Sequence, residues 1–337
     1  MRPIEIVGGG VGGLALGIAL RREGVDVTVF EAGEYPRHRV CGEFISGLKG
    51  ATLEALGIKD LLSDSSPHNG VTYFMRDEPM RPFRLPGTAW GISRHTLDAR
   101  LADAFVKAGG ILRTATRVPE DETPPGRVFA MGRRRKGPFW VGLKVHVPAL
   151  PLANDFEVHL GNRAYVGLSR VESGAVNVCG LFAQRETAAR GLDLLPEYLR
   201  EAGLGVLAKR LESAGMDPAT FCATAAPLGD AAVAATDRIR IGDACASIAP
   251  FTGNGLAMAL QGAETALPCL LSYSSGALAW GDVVQRVSRG QRNRFRKRLR
   301  LSSFLHPFFL ERRRQAVLAA LARRNLIPFG AFYAVLH

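Results

Sequence analysis

The sequence lacks the features that mark several common classes of protein. Its 337 residues include only five cysteines, scattered, odd in number and without a Cys-x-x-Cys pair. This argues against a disulfide scaffold or a zinc site and favours a reducing cytoplasm. No residues stand at metal-ligand spacing, so no bound metal is predicted. No apolar run of about 18 residues occurs, so no transmembrane helix is expected. The first strand begins at once, which predicts no signal peptide.

Acidic residues are scarce in only one part of the chain. Residues 281–337 contain 13 Arg or Lys but only Asp282 and Glu311 as acids, whereas the other 280 residues carry 30 basic and 29 acidic side chains. The net charge of +12 therefore belongs almost entirely to a C-terminal tail. A shorter basic run, residues 133–136, is interpreted as a surface loop.

The basic tail also repeats apolar residues at helical spacing. One set is Val284, Val287, Phe295 and Leu299, and the next is Leu310, Val317, Leu318 and Leu321. The pattern predicts amphipathic helices, and two interpretations stay open. The helices could close a neighbouring domain with a solvated basic face, or they could contact an anionic membrane or an acidic carrier protein. Nucleic-acid binding is disfavoured because no recognition motif accompanies the charge.

The most informative pattern present is a glycine-rich turn near the N-terminus. Periodicity predicts a strand at residues 2–7, a helix at 14–23 and a second strand at 25–30. A G-x-G-x-x-G motif, with its glycines at positions 8, 10 and 13, joins the first strand to the helix, and Glu31 follows the second strand. This order of elements is that of the βαβ unit that binds dinucleotides.

Each position of this motif has a physical role. Gly8 permits the tight turn from strand to helix, Gly10 leaves room for a pyrophosphate at the backbone, and Gly13 lets helix and strand pack closely. The phosphates would face the free N–H groups at the positive end of the helix. Glu31 can accept hydrogen bonds from a ribose diol and would repel a 2′-phosphate.

A second motif follows a predicted strand at residues 238–241. Gly242-Asp243 places a carboxylate at the carboxyl end of that strand, where α/β sheets bind ligands. Pro250 and then Gly253-Asn254-Gly255-Leu256 come next, and these glycines open a predicted helix. The N–H groups of that helix would face the negative charge that a reduced flavin carries at its N1–C2=O edge.

With these motifs and the segment Pro36-Arg37-His38-Arg39-Val40-Cys41-Gly42-Glu43, the chain resembles the FAD-dependent oxidoreductases of the para-hydroxybenzoate-hydroxylase fold. Within that superfamily it is most similar to the geranylgeranyl-reductase-like branch. The resemblance runs through most of residues 1–270. It implies that FAD is the cofactor and that NAD(P)H or another electron donor binds transiently, since no second G-x-G-x-x-G occurs.

The resemblance also implies roles for individual residues. Glu31 would bind the adenosine ribose, Asp243 the ribityl or pyrophosphate region, and residues 253–256 the isoalloxazine edge. Arg94 matches a family arginine near the flavin and its phosphates, and Val118 falls where a strand-end backbone meets the adenine. The full set implied in cofactor binding is Gly8, Gly10, Val11, Gly12, Gly13, Glu31, Ala32, Arg39, Cys41, Gly42, Arg94, Val118, Gly242, Asp243, Pro250, Gly253, Asn254, Gly255 and Leu256.

The implied fold class is α/β, with a Rossmann-type FAD-binding (GR2-like) domain, an antiparallel-sheet substrate domain and a helical C-terminal region. The expected boundaries are residues 1–70, 92–138 and 236–275 for the discontinuous FAD-binding domain, 71–91 and 139–235 for the substrate domain, and 276–337 for the basic helical region. Within the substrate domain, β-like stretches predict an antiparallel meander at residues 139–147, 155–160, 164–170 and 175–182. Further segments predict helices at 52–62, 93–109, 194–201 and 205–214 and a strand at 111–118.

Cys41 is the candidate catalytic residue, since it lies in the loop that passes beside the flavin in this fold. Reduction at an aliphatic carbon needs a hydride from flavin N5 and a proton from an acid. The Cys41 thiol could donate that proton, or it could be a small side chain packed against the ring.

The resemblance favours a reductase over a hydroxylase. Hydroxylases of this fold usually carry His, Asn and Asp among the positions that here read Ala246, Ala257, Ala259 and Gly262. We therefore expect reduction or dehydrogenation, at carbon and through flavin N5, of an apolar substrate such as an isoprenoid, lipid or polyketide. Two alternatives stay open, a monooxygenase that uses a flavin C4a-hydroperoxide and a non-catalytic flavin-binding partner protein. The expected location is the cytoplasm, with peripheral membrane contact left open.

Overall fold

The computed structural model describes residues 1–132, 139–227 and 238–337. The basic run 133–136, interpreted above as a surface loop, lies outside the described residues. In chain order the strands are β1 (Ile4–Val7), β2 (Val27–Phe30), β3 (Phe44–Ile45), β4 (Ser66–Met75), β5 (Glu78–Pro79), β6 (Phe83–Gly91), β7 (Ile111–Arg113), β8 (Arg127–Phe129), β9 (Phe139–Val147), β10 (Phe156–Gly161), β11 (Ala164–Arg170), β12 (Val176–Ala183), β13 (Asp217–Pro227) and β14 (Ile239–Arg240). The helices are α1 (Val11–Arg22), α2 (Gly50–Leu56), α3 (Arg94–Lys107), α4 (Leu194–Glu201), α5 (Gly205–Ala214), α6 (Gly255–Ser274), α7 (Trp280–Leu310), α8 (Arg312–Arg323) and α9 (Phe329–Leu336).

A parallel sheet carries the N-terminal βαβ unit. Its strand order is β14-β8-β1-β2-β7, and each neighbouring pair runs parallel. The chain moves outward from β1 through β2 to β7 and then continues on the other side of β1 with β8 and β14. The carboxyl end of β1 is therefore the point where the strand order reverses, which is where open α/β sheets bind ligands. The predicted unit is confirmed, although α1 begins three residues earlier than predicted, at Val11.

A larger mixed sheet forms the second layer. Its order is β13-β9-β12-β11-β10-β4-β6-β3, and β5 pairs with β4. The four predicted strands are confirmed, since β9 to β12 each begin and end within one residue of their predicted bounds. The meander is confirmed only for β10 to β12, which pair antiparallel in chain order, because β9 pairs with β12 and not with β10. Strand β4 joins β10 in parallel, which local periodicity does not predict. The pattern also misses β13, whose Ala- and Thr-rich sequence shows no clear alternation.

The two faces of this larger sheet have different partners. On β9, Leu143, Val145 and Val147 pack with the apolar residues of α4 and α5. The alternate residues Lys144 and His146 point to the opposite face. A strand that alternates in this way usually exposes its polar face to water, yet Lys144 is fully buried and His146 is only 7% exposed. The loop that precedes β3 covers them, as described below.

Two sequence-predicted elements are shorter than expected. The predicted strand at 111–118 ends at Arg113, because Ala115 turns the chain (φ 49°) and donates its N–H to the Gly33 carbonyl. Val118 therefore lies in an irregular segment, and its interpretation as a strand end is wrong. The predicted helix at 52–62 is α2, which ends at Gly57 with left-handed geometry (φ 69°), followed by a separate 3-10 turn.

The basic tail is helical, as predicted. Helix α7 buries the first apolar set at Val284, Val287, Phe295 and Leu299. The second set does not form one buried stripe, because α7 ends at Leu310 and the chain is extended at Glu311 before α8 begins. Consequently Leu310 is buried, whereas Val317 is 51% and Leu321 38% exposed. Among the described helices none combines the length and the apolar character that crossing a bilayer would require. The domain boundaries expected from the sequence stay a prediction.

Candidate active site

The glycine-rich turn forms an open cradle at the carboxyl end of β1. Gly8 has φ +113°, and a Cβ there would overlap the Ala130 carbonyl group. A Cβ on Gly13 would overlap the Gly8 carbonyl oxygen, which accounts for the close packing predicted at this position. By contrast, no described atom lies within 4 Å of a Cβ built on Gly10. The turn is therefore tight where the protein packs and open where a pyrophosphate would lie, at the N-terminus of α1.

Glu31 is buried beside this cradle and is tied to it. Its Oε2 accepts the Gly9 N–H at 2.8 Å, and its Oε1 accepts the Gly33 N–H at 3.1 Å. Oε1 also pairs with the guanidinium of Arg37, and with that of Arg39 at 3.5 Å. Burial raises the pKa of the Glu31 carboxyl, but the charges of both arginines and the two backbone hydrogen bonds outweigh it and leave the pKa lowered. The carboxylate is thus held ionised at the position predicted for a ribose diol.

A row of alternating charges extends from Glu31 into the molecule. Arg39 bridges Glu31 to the fully buried Asp98, with its Nε 3.2 Å from Asp98 Oδ2. Asp98 in turn accepts two hydrogen bonds from Arg94, at 2.8 and 2.7 Å, in bidentate geometry. The guanidiniums of Arg37, Arg39 and Arg94 all line one cavity. This positive wall suits an anionic group such as a pyrophosphate.

The second glycine motif lies at the same cavity. Gly242–Ala244 form a 3-10 turn after β14, so Asp243 stands at the carboxyl end of the parallel sheet and lines the cavity with Pro250 and Gly253. Gly253 has φ +63°, and a Cβ on it would lie 2.7 Å from the Phe44 ring. Helix α6 begins immediately afterwards, at Gly255. The start of α6 is thus close to the cavity, as the motif predicts.

Arg298 of the basic tail supports this motif, which the sequence pattern does not reveal. Its side chain donates to Asn254 Oδ1 at 2.9 Å and to Gln261 Oε1 at 2.7 Å, and Asn254 is completely buried. It also donates to the His337 carbonyl at 2.6 Å. A residue in α7 therefore fixes the loop from which α6 starts, and the basic tail is structurally joined to the candidate site.

The cavity lies between the two sheets and has a volume of about 890 Å³, in the range of small-molecule sites. One wall is formed by strands of the mixed sheet, through residues such as Phe156 of β10, Tyr165 of β11 and Leu181 of β12. The opposite side comprises seven of the predicted cofactor residues, Arg39, Cys41, Gly42, Arg94, Asp243, Pro250 and Gly253. The structure therefore brings together residues from three separate segments of the sequence.

The other predicted cofactor residues lie elsewhere. Gly8, Gly10 and Glu31 form the cradle outside this cavity, next to Ala32, which is exposed. Val11 and Leu256 are buried in the hydrophobic core, and Asn254 is held by Arg298. Gly12, Gly242 and Gly255 lie at turns or helix starts, and Val118 lies past the end of β7.

Ala259, one of the positions at which the sequence departs from the hydroxylases, has a packing role in this chain. A Cβ on Gly12 would lie 3.1 Å from the Ala259 carbonyl oxygen, and one on Gly242 would lie 3.4 Å from the Ala259 Cβ. The α1 and α6 helices approach closely at this point, and a larger side chain would separate them.

Cys41 lies in the cavity wall, half-buried, next to the candidate cofactor residues. Its sulfur accepts the Glu43 N–H at 3.4 Å. Burial raises the pKa of the Cys41 thiol, and the neighbouring Arg94 only partly opposes this effect. The thiol is therefore protonated at neutral pH but is a reluctant proton donor.

A buried polar cluster that no sequence motif indicates lies behind the same loop. Glu43, Lys144 and His146 meet beneath residues 38–43, and His38 joins them from the cavity side. Donor atoms of His38, Glu43 and His146 lie within 4.8 Å of one another, as metal ligands can. These residues come from distant segments, so sequence spacing could not show the grouping. That no metal is bound stays a prediction.

A second cavity of about 270 Å³ adjoins the first. Its walls come mainly from α7, α8, α9 and the strands β4 and β6, and nearly all of its lining side chains are aliphatic or aromatic. Phe44, Phe156 and Phe251 line both cavities. The apolar space formed with the tail is therefore a neighbour of the cofactor cavity.

Comparison with known proteins agrees with this architecture. A family model described as an NAD(P)-binding Rossmann-like domain matches residues 6–41. The menaquinone reductase of Mycolicibacterium smegmatis is 24% identical, in a match that covers 84% of this chain and 80% of that protein.

Solved structures show the same fold. A geranylgeranyl bacteriochlorophyll reductase-like protein from Thermoplasma acidophilum has a TM-score of 0.75 and 15% identity, and the match covers 99% of this chain and 94% of that one. Klebsiella pneumoniae HpxO, in complex with FAD and uric acid, has a TM-score of 0.77 and 16% identity, over 98% and 97% of the two chains. The fold and the nucleotide-binding unit of this chain are those of the FAD-dependent oxidoreductases, as the sequence resemblance implies.

The residues present also fit FAD on their own evidence. Of the three motif glycines, Gly8 and Gly13 are packed against other described backbone atoms, whereas Gly10 faces open space that a Cβ would fill. Arg37, Arg39 and Arg94 line the separate cavity described above, together with Asp243. These are the requirements of a dinucleotide with an anionic centre and a polyol chain.

Proposed function

We propose that this protein reduces an apolar, chain-bearing substrate with electrons carried by FAD, and that NAD(P)H or another donor supplies those electrons transiently. The observation that carries the proposal is the apolar cavity that shares Phe44, Phe156 and Phe251 with the cofactor cavity. A substrate with a reactive head and an apolar chain would fit the pair of cavities, with its head at the flavin. The likeness to a menaquinone reductase supports this class of substrate.

Bound FAD would supply a hydride from its N5 position. The chain's own residues would hold the cofactor and exclude water. The open turn at Gly10 and the N-terminus of α1 would bind the pyrophosphate, and Arg94, fixed by Asp98, would add positive charge nearby. Phe156 and Leu181 would cover the reacting face with apolar surface.

The test compares menaquinone with menadione, which has the same ring system but no isoprenoid chain. FAD-loaded protein is reduced anaerobically and mixed with either quinone, and flavin oxidation is followed by absorbance. We expect both to oxidise the flavin, with a lower KM for menaquinone. Incorporation of oxygen from ¹⁸O₂ into a substrate, with no anaerobic quinone reduction, would show hydroxylation instead.

Two substitutions in α8 distinguish an effect of filling the cavity from a general effect of altering the tail. Leu318 lines the apolar cavity, whereas Val317, its neighbour, is 51% exposed and outside it. Leu318→Trp should raise the KM for menaquinone on the order of tenfold by filling the space, a loss of about 1.4 kcal/mol of binding free energy. It should leave menadione unaffected, and Val317→Trp should change neither.

We also propose that the mouth of the apolar cavity contacts an anionic membrane. Phe304, Leu321 and Leu326 line this cavity and are 65%, 38% and 59% exposed. The exposed arginines 312–314 and 323 lie in α8 with Leu321, and the exposed Arg324 follows this helix. Apolar side chains ringed by basic ones favour an interface of anionic lipid, at on the order of 1 kcal/mol per basic residue.

Vesicle co-sedimentation tests this contact. We expect binding to phosphatidylglycerol vesicles but not to phosphatidylcholine vesicles, and weaker binding at high salt. The double variant Phe304→Ser, Leu326→Ser should reduce vesicle binding. The control Val206→Ser, at a 64% exposed position in α5 and outside the tail, should not. Equal behaviour with both lipids would leave the helices as a cover for the cavity, and an acidic carrier protein as the alternative partner.

A further inference from the structure

The buried cluster behind the loop at residues 38–43 contains four ionisable side chains, linked in a row by two hydrogen bonds and one ion pair. His38 Nδ1 lies 3.1 Å from Lys144 Nζ, Lys144 Nζ lies 3.4 Å from Glu43 Oε1, and Glu43 Oε2 lies 2.6 Å from His146 Nε2. Lys144 and Glu43 are fully buried, whereas His38 is partly exposed and lines the cofactor cavity. This row of side chains therefore connects the buried Lys144–Glu43 ion pair to His38 in the cavity wall.

Burying these charged groups has a high desolvation cost. Removing an ammonium and a carboxylate from water is costly even when they pair, and apolar side chains of similar size would often serve stability as well. On either side of Lys144, the cross-strand neighbours are Cys179 and Cys222, small side chains that give its ammonium no further charge partner. The cluster is therefore a candidate for a function in proton transfer.

A metal ion is a poorer explanation of the same residues. The Lys144 ammonium already stands within 3.4 Å of both His38 and Glu43. A divalent cation bound by His38, Glu43 and His146 would stand close to that positive charge in a buried site, where repulsion is strong. Lys144 occupies the place of the cation in this cluster.

The hydrogen bond from Lys144 sets the state of the His38 ring. An ammonium has no acceptor, so Nδ1 must present its lone pair and the proton of a neutral His38 must reside on Nε2. The charged and titratable groups that face the ring are Lys144, His95, which stacks on it at 4.6 Å, His146 and Glu43. Burial and the first three lower the pKa of His38 to about 4, against the opposing effect of Glu43.

We propose that His38 Nε2–H donates the proton that accompanies hydride transfer to the substrate, and that Lys144 replaces it through Nδ1. The inference rests on the proposed reductase function. In the step, the Nε2–H bond breaks and a bond from that proton to the substrate forms, while a Lys144 N–H bond breaks and Nδ1–H forms. The reduced flavin provides the electron pair and is oxidised. Lys144, left as a neutral amine, regains its proton from water through His38 once the product leaves.

His38 is a better candidate than Cys41 for the proton donor. The Cys41 thiol accepts a backbone N–H and has a raised pKa, and its side-chain neighbour is Arg94, whose guanidinium stays protonated and cannot pass on a proton. His38, in contrast, has an ammonium directly behind the ring and a carboxylate and second imidazole behind that. The Lys144 ammonium can thus replace the proton that His38 loses at the cavity.

The tautomer of His38 is tested first, and this measurement does not depend on the reaction. Protein labelled with ¹⁵N-histidine is examined by NMR, and the His38 signals are assigned by their loss in His38→Gln. We expect the Nε2–H tautomer down to about pH 5. Lys144→Met should release Nδ1, mix the tautomers and raise the His38 pKa by about one pH unit. A wild-type His38 with its proton on Nδ1 would overturn the inference, whatever the substrate is.

The kinetic test uses photoreduced, FAD-loaded protein and menaquinone in single-turnover mixing. We expect His38→Gln to slow flavin oxidation on the order of 10²-fold or more, the usual effect of losing a general acid, and to abolish the solvent deuterium isotope effect. Lys144→Met should slow it less and shift its pH profile. His95→Gln, which removes only the stacked ring, is the matched control and should stay near the wild-type rate.

The outcomes separate the two proposals. Wild-type rate and isotope effect in His38→Gln would overturn the proton route, provided the wild type reduces the quinone. If the wild type does not, the reductase proposal fails and the NMR result alone decides the state of His38. Stoichiometric Zn²⁺ binding that His146→Gln removes would also overturn the inference and identify a metal site. Unfolding midpoints of all variants establish that they are folded.

Discussion

Two glycines of the same turn should respond in opposite ways to the addition of one methyl group. Gly10 and Gly13 are three residues apart, but a Cβ on Gly10 has no described atom within 4 Å, whereas one on Gly13 would overlap the Gly8 carbonyl oxygen. Gly10→Ala should therefore leave the folded protein intact and damage only the binding of FAD. Gly13→Ala should damage the fold itself.

The expected magnitudes follow from this geometry. At Gly10 the methyl group would move the pyrophosphate away from the N–H groups of α1. The loss of two charge-assisted hydrogen bonds of about 1.5 kcal/mol each amounts to about 3 kcal/mol, or a roughly 100-fold rise in Kd. At Gly13 helix and strand would have to separate, which overpacking data place at about 1–3 kcal/mol or more of unfolding free energy.

The assays are FAD titration by flavin fluorescence quenching and urea unfolding of the FAD-free protein. Gly281→Ala is a suitable control, because a Cβ there also meets no described atom within 4 Å and the residue lies in α7. It should change neither property, apart from a slight gain in helix stability. Unchanged FAD affinity in Gly10→Ala would refute the assignment of this turn to the pyrophosphate, and an unaltered unfolding midpoint in Gly13→Ala would refute the packing argument.

Three further outcomes are expected. Arg298→Met should lower the unfolding free energy by about 2–4 kcal/mol in urea titration, because two buried amide side chains lose their donor; a loss below about 0.5 kcal/mol would contradict this. Burial raises the pKa of Glu157, but hydrogen bonds from His159 and Arg210 outweigh it and lower that pKa from 4.5 to about 2, so its stabilisation is present above pH 4.5 and is lost as pH falls toward 2. Glu157→Gln should accordingly flatten the acid limb of the stability profile between these values, as followed by circular dichroism. Cys41→Ala should keep the single-turnover rate of flavin oxidation within about tenfold of wild type, and a larger loss with an altered solvent isotope effect would return the acid role to the thiol.

The sequence by itself determined the parts of this protein that depend on local geometry. The G-x-G-x-x-G turn has to join strand and helix in one way, because only glycine fits where Gly8 and Gly13 meet other backbone atoms. Alternation likewise predicted β9 and β11 with their observed bounds, since a period of two residues fits only a strand packed on one face. Where a single residue controls the backbone, as at Gly57 and Ala115, the pattern predicted the element but not its end.

Only the tertiary structure decided what covers each surface. Lys144 and His146 alternate with valines and leucine on β9 and so read as a solvated face, but the loop at residues 38–43 buries them and adds Glu43 and His38. In the same way, the aromatic residues of the tail carry no local mark of the cavity that they form with β4 and β6. Local pattern records which residues share a face. What that face meets depends on contacts between segments more than 100 residues apart, such as Glu43 with His146, and these are fixed only when the whole chain packs.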